Sequence, residues 1–138
     1  MARNDQHTVL MADDDEEDCF LAGEAFLESG TKAVFSCVED GIELMEYLSE
    51  HSRSKADGLP DLILLDLNMP RKDGRQVLLE MKSDPLLRRI PIVILTTSRE
   101  KEDVDFTMKA GAESFVTKPA TFDDWVRIMK GLAEKWLS

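Results

Sequence analysis

An α/β domain, with a parallel sheet covered by helices on both faces, is what this sequence predicts, and three observations predict it. Apolar runs of strand length alternate with segments of helical period along the whole chain. Two of the runs, Leu62-Ile63-Leu64-Leu65 and Ile92-Val93-Ile94-Leu95, are aliphatic throughout, as expected of strands buried on both faces. Each gives way at once to polar residues, Asp66 in one case and Thr96-Thr97-Ser98 in the other, where open parallel sheets gather their ligands. At 138 residues and 43% hydrophobic content, a single domain over residues 1–138 with its own core is expected.

The elements follow in order. Thr8 to Ala12 reads as a strand, and Glu16 to Glu28 as a helix stopped by Ser29-Gly30. Ala33 to Val38 is the second strand. Glu39 to Glu50 is helical through Ile42, Leu44, Met45 and Leu48, and the polar segment His51 to Asp57 is expected to be a loop. Pro60 and Pro70 bound the strand Leu62 to Leu65. Gly74 to Lys82 forms the next helix, ended near Asp84-Pro85, and Ile92 to Leu95 the fourth strand. A helix over Glu100 to Ala110 is expected to be capped by Thr97, in a capping box with Glu100, and closed by Gly111. Ser114 to Thr117 is a short fifth strand; Thr121-Phe122-Asp123-Asp124 then opens a last helix running to about Leu137.

Composition excludes several classes. A formal net charge of −11 opposes phosphate backbones, and no basic run exceeds two residues, as in Arg71-Lys72, so nucleic acid is not an expected partner. Met1 to Gln6 holds no apolar signal region, and no stretch approaches the roughly 20 apolar residues of a membrane span, so a soluble cytoplasmic protein is expected. Cys19 and Cys37 show no metal-ligand or Cys-x-x-Cys spacing and are expected to be buried free thiols.

Parallel topology brings every strand's carboxyl end to one edge, where Asp13-Asp14, Asp66, Thr96 and Lys118 follow strands one, three, four and five. Three carboxylates held together repel, so a divalent cation is the expected counter-charge, and oxygen ligands suit Mg2+ or Mn2+. Magnesium keeps open positions for phosphate oxygens, which points to phosphoryl chemistry. A calcium loop over Asp13-Asp14-Asp15-Glu16-Glu17-Asp18 is the rival; it lacks the glycine at the sixth loop position and the alternating ligand spacing. With the cation, Lys118 and the Thr96 hydroxyl sharing the negative charge, Asp66 is free to attack phosphorus and form an aspartyl phosphate. The Asn68 backbone carbonyl can ligate the metal, and Lys118-Pro119 is a candidate cis peptide that would aim the lysine inward.

Taken in order, Asp13-Asp14, Asp66-Leu67-Asn68-Met69-Pro70, Asp73-Gly74, Thr96 and Lys118-Pro119 resemble the receiver domain of two-component response regulators, from about Thr8 to Glu134. The resemblance implies a flavodoxin-like sheet of order 2-1-3-4-5 and Asp66 phosphorylated by a sensor histidine kinase. It also implies Mg2+ held by Asp14, Asp66 and the Asn68 carbonyl, with Asp13 acting through water. It implies a switch in which Thr96 moves toward the phosphoryl group and Phe115 turns inward. Thr97 stands where a small residue is usual, Ser98 where an acid or amide is frequent, and Ala120 where an aromatic is frequent. The segment Asp66 to Gly74 with Arg71-Lys72, the loop before Pro60, and the end at Lys135-Trp136-Leu137 look like the single-domain regulators paired with bacterial and cyanobacterial phytochromes.

On this reading the chain has no output domain and is no enzyme toward other molecules, catalysing only its own phosphorylation and dephosphorylation. On the helix Glu100 to Ala110, Val104, Thr107 and Met108 share a face, whereas Phe106 projects opposite among charges. Phe106, Trp125 and Trp136 are therefore candidates for a homodimer surface of this helix, strand five and the last helix, although the stripe Phe122, Val126, Met129, Ala133 should mostly be core. Two alternatives remain. A haloacid-dehalogenase-type phosphatase or phosphotransferase needs a second acid two positions after its nucleophile, where Asn68 stands. A degenerate receiver acting only as a binding module would lack site residues that are all present here.

Overall fold

The computed structural model describes residues 7–54 and 58–137. Its elements alternate as β1 (His7–Ala12), α1 (Glu16–Glu28), β2 (Ala33–Val38), α2 (Gly41–Ser54), β3 (Leu62–Leu65), α3 (Gly74–Lys82), β4 (Ile92–Thr96), α4 (Lys101–Ala110), β5 (Ser114–Thr117) and α5 (Phe122–Trp136). A single 3-10 turn, Leu87–Arg89, precedes β4. All strand pairs are parallel, in the order β2-β1-β3-β4-β5. The expected doubly wound sheet is therefore what the chain forms. Among the described residues no helix is long and apolar enough to cross a membrane.

Side chains alternate across a strand, so the aliphatic runs divide between two cores. Leu10, Ile63, Leu65, Ile92 and Ile94 pack with Leu44 and Leu48 of α2 and Val77, Leu78 and Met81 of α3. On the opposite face Val9, Met11, Leu62, Leu64, Val93 and Leu95 meet Ala22, Ala25 and Phe26 of α1 and Trp125 and Met129 of α5. β3 lies between both cores, which is why it reads as an unbroken apolar run. The register carries each strand forward to one edge: Ala12 pairs with Leu65, and Leu65 with Ile94.

Several expectations are corrected. α2 continues through Ser54, so His51 to Ser54 is helix rather than loop, and residues 55–57 lie outside the described residues. α4 begins at Lys101 with Glu100 as its cap residue and no side-chain cap, so the Thr97–Glu100 box does not form. A start one residue later puts Glu100 at the cap itself, and Ser98 Oγ accepts from Glu100 N–H instead, at 3.2 Å. Gly111 does close the helix, at φ 111. On the same helix Thr107 is buried but Met108 is exposed, so the shared face is narrower than the period suggested.

On α5 most of the expected stripe is core, with Met129 and Ala133 buried and Val126 partly so, but its first member is Trp125 rather than Phe122. Trp125, Met129 and Ala133 form its buried stripe, while Phe122 is 40% exposed. Trp125, 2% exposed, is core and leaves the list of interface candidates. Trp136 is half-buried against the same core, with the Lys135 ammonium over its ring. The cysteines are corrected as well: Cys19 and Cys37 are joined as a disulfide, their Cα atoms 6.3 Å apart, and no free cysteine is found among the described residues. Spacing concealed the pair because one sits on α1 and the other on the edge strand β2 against which α1 packs. Lys118-Pro119 is trans, since no described peptide bond is cis.

Candidate functional site

β1 is followed by Asp13, whose N–H donates to Val38 O at 3.0 Å, and β3 by Asp66, whose N–H donates to Ala12 O at 3.0 Å. The strand ladder thus continues one residue beyond each apolar run, and the two carboxylates leave it side by side. Asp13 is 1% and Asp66 6% exposed, whereas Asp14 faces solvent. One carboxylate oxygen from each of Asp13, Asp14 and Asp66 lies within 4.8 Å of the others.

Lys118 enters from the end of β5. Its N–H donates to Thr96 O at 2.8 Å, which fixes the backbone against β4 without a cis bond. Its ammonium, on a side chain only 7% exposed, lies 2.7 Å from Asp13 Oδ2, 2.8 Å from Asp18 Oδ2 and 3.5 Å from Asp66 Oδ2. Burial alone would lower the Lys118 pKa. Its close contacts with Asp13 and Asp18 and the charge of Asp66 outweigh burial and hold the pKa above the ordinary lysine value. Burial pushes the Asp13 carboxyl up to about 6, against the opposing pull of Lys118 and of Asp15 N–H.

Asp18 is a site residue that sequence reasoning missed. It stands in the first turn of α1, where Asp15 caps the helix by accepting from Glu17 N–H at 2.9 Å and Asp18 N–H at 3.1 Å. An acid there is also what the helix dipole favours, so its sequence signal is that of an ordinary solvated helix end.

Thr96 is fully buried at the end of β4, and its hydroxyl oxygen accepts from Ser98 N–H at 3.4 Å. Ser98, which departs from the family pattern, ties the site to two helices. Its hydroxyl donates to Asp103 at 2.6 Å, and Arg75 joins Asp103 at 2.7 Å to Asp73 at 3.0 Å. Ser98 and Arg75 hold the Asp103 carboxyl below the usual carboxylate range. Asn68 is exposed in the loop after β3, and Phe115 is half-buried against the core formed with α2 and α3.

Do these residues fit a divalent cation? Asp13, Asp14, Asp18 and Asp66 bring four carboxylates against one ammonium, so negative charge is left over. Asp13 Oδ2 is buried and has no aligned hydrogen-bond donor despite its short contact with Lys118. Oxygen-only donors with excess charge fit Mg2+ or Mn2+. A pH test follows from Asp13. Its folded-state pKa of about 6 lies above the ordinary 3.8, so in the absence of metal its contribution to stability is present below 3.8 and lost as pH rises through about 6. A bound cation opposes that loss. Saturating Mg2+ is therefore expected to raise the Tm more at pH 7.5 than at pH 5, and equal gains in thermal melts at the two pH values would contradict it.

The family described as response regulator receiver domain matches residues 9–130. The chain belongs to this family. Among relatives of this receiver domain, the response regulator Rcp1 of Synechocystis sp. is 34% identical over 134 residues, covering 97% of this chain and 91% of that one. The crystal structure of the phosphorylated cyanobacterial phytochrome response regulator RcpA superposes with TM-score 0.84 at 39% identity, over 96% of this receiver and 95% of that chain. The Mn2+-bound form of Rcp1 gives TM-score 0.82 at 34% identity, with coverage of 96% and 95%. The strand order expected from the resemblance is the one observed.

Proposed function

We propose that this receiver accepts a phosphoryl group on Asp66 from the phosphohistidine of a sensor histidine kinase, of phytochrome type, with Mg2+ or Mn2+ at the acidic site. One observation carries the reading: a buried carboxylate at the end of the central strand stands between an acidic pair and a buried lysine. Asp14, Asp66 and the Asn68 carbonyl would hold the metal, with Asp13 acting through water. When bound, the metal neutralises phosphoryl oxygens during in-line transfer. An Asp66 oxygen attacks phosphorus, the P–N bond breaks, and the imidazole leaves with a proton. Lys118 and the Thr96 hydroxyl then share the charge of the aspartyl phosphate. Thr96, drawn toward it, makes room for Phe115 to turn inward, and the surface changes.

Asn68 supplies no acid two positions after Asp66, which favours a phosphoacceptor over a phosphatase. The unit proposed spans residues 1–138, catalyses only its own phosphorylation and dephosphorylation, works in the cytoplasm and, at a net charge of −11, does not bind nucleic acid. The likeness to RcpA, a cyanobacterial phytochrome response regulator, supports the phytochrome pairing. Incubation with a small phosphodonor and Mg2+ should give a phosphate-sized gain in intact mass for the wild type and none for Asp66→Asn. A gain that persists in the variant, or no gain from either a small donor or a cognate kinase, overturns the reading.

Signal output would pass through a homodimer of α4, β5 and α5, where Phe106 is 38% exposed. Sedimentation of wild type and Phe106→Ala should show a weaker dimer in the variant; an unchanged one removes Phe106 from the contact.

A further inference from the structure

The loop from β3 to α3 carries a second feature besides Asn68. It closes on itself where Gly74 N–H donates to Leu67 O at 2.9 Å, and it is weighted down by the buried side chains of Leu67 and Met69. Between these anchors Lys72 N–H donates to Pro70 O at 2.7 Å, while Arg71, at φ 64, is the single non-glycine residue at positive φ among the described residues. A three-residue turn of that hand is crowded for any L side chain and persists only where its surroundings hold it.

Two neighbours hold it. Arg71 Nε and Nη2 donate to the Asp40 carboxylate at 2.8 and 3.2 Å, a two-pronged contact with a residue only 6% exposed. Asp40 is itself fixed, accepting from Glu43 N–H at 2.8 Å at the start of α2. On the other side Lys72 Nζ meets both oxygens of Glu80 on α3, at 2.6 and 2.8 Å. Gly41, the first residue of α2, is pressed so close that a Cβ there would fall 2.7 Å from Lys72 Cβ and nearer still to Lys72 O. The turn is wedged between two helices, two residues beyond Asn68.

We propose that Arg71 is a positioning residue: its grip on Asp40 holds the crowded Pro70–Lys72 turn, and with it the Asn68 carbonyl, in the place that sets the site's affinity for a divalent cation. This rests on the assignment of Asn68 as a metal ligand. Groups that orient metal ligands from behind are commonly worth 10–100-fold in affinity, and a tenfold loss is expected here.

The test is calorimetric titration with Mg2+ alone, in the unphosphorylated protein, beside thermal melts of the same samples. Arg71→Ala should weaken Mg2+ binding about tenfold. Arg71→Gly should weaken it less, because glycine takes a positive φ without crowding. Asp40→Asn keeps an acceptor for Glu43 N–H but loses the charge, and should shift binding the same way, with Arg71→Ala in that background adding nothing further. The half-saturating Mg2+ for phosphorylation should rise by the same factor. A purely structural role would lower the melting temperature and leave Mg2+ affinity alone, and that outcome overturns the inference, as does an Arg71→Gly loss as large as that of alanine. Wild type that neither binds Mg2+ nor gains phosphate sinks the proposed function; wild-type binding matched by Arg71→Ala sinks only the role given to Arg71.

Discussion

Gly74→Ala is expected to lower the Tm by about 10 °C and to cut the rate of Asp66 phosphorylation at least tenfold, the first effect corresponding to about 2–4 kcal/mol. A methyl group on Gly74 would lie 2.8 Å from Leu67 Cα and 3.0 Å from the Asp66 carbonyl carbon, with the Asp66 oxygen closer still. These are backbone atoms just past the end of the central strand and cannot turn aside as a flexible side chain would. The start of α3 must therefore move off the end of β3. That movement breaks the Gly74–Leu67 hydrogen bond, which closes the loop holding Asn68, and so reaches the site even though Gly74 contributes no chemistry. A circular-dichroism melt within about 2 °C of wild type would show that the contact is relieved more cheaply than argued.

Lys118→Met is expected to slow phosphorylation by a factor on the order of 10², the usual consequence of deleting a preorganised charge partner of the reacting group. Methionine keeps the length and apolar stem of lysine, so the change removes the cation and little packing. It leaves Asp13, Asp18 and Asp66 without the ammonium that now lies between 2.7 and 3.5 Å from each. Breaking a buried ion pair from one side is costly because the other charge stays buried. The same substitution should therefore lower stability in the absence of metal, and Mg2+ should restore more of the Tm in the variant than it adds to wild type. Phosphorylation kinetics give one readout and melts with and without Mg2+ the other. A variant that phosphorylates at the wild-type rate would remove Lys118 from the site.

What made much of the fold and site legible was that both rest on local pattern. Leu62 to Leu65 is apolar on both faces because β3 serves two cores, and Asp13, Asp66, Thr96 and Lys118 stand out because each ends a strand. Features decided by tertiary proximity were hidden. Asp18 looks like any helix-terminal acid until Lys118 arrives from β5. Cys19 and Cys37 meet only because α1 folds onto β2. Helix phase is weak evidence at a helix end: Met129 and Ala133 lie in the core as their spacing suggests, but at the start of α5 it is Trp125 that is buried and Phe122 that is exposed. Nor does Arg71 announce its backbone, since positive φ is normally signalled by glycine or asparagine.

The lysine at the end of β5 also bears on when the protein becomes competent during its synthesis. Lys118 is 52 residues from Asp66 and 100 from Asp18 along the chain. A nascent chain that has emerged only as far as β4 lacks Lys118, whose ammonium lies within 3.5 Å of Asp13, Asp18 and Asp66 in the folded domain. On the proposed function the acceptor would be completed only when the fifth strand docks on β4, where Lys118 N–H takes its place on Thr96 O. Under the proposed function, phosphorylation would then favour a finished sheet, and a ribosome-stalled or truncated chain ending before β5 would be a poor phosphoacceptor.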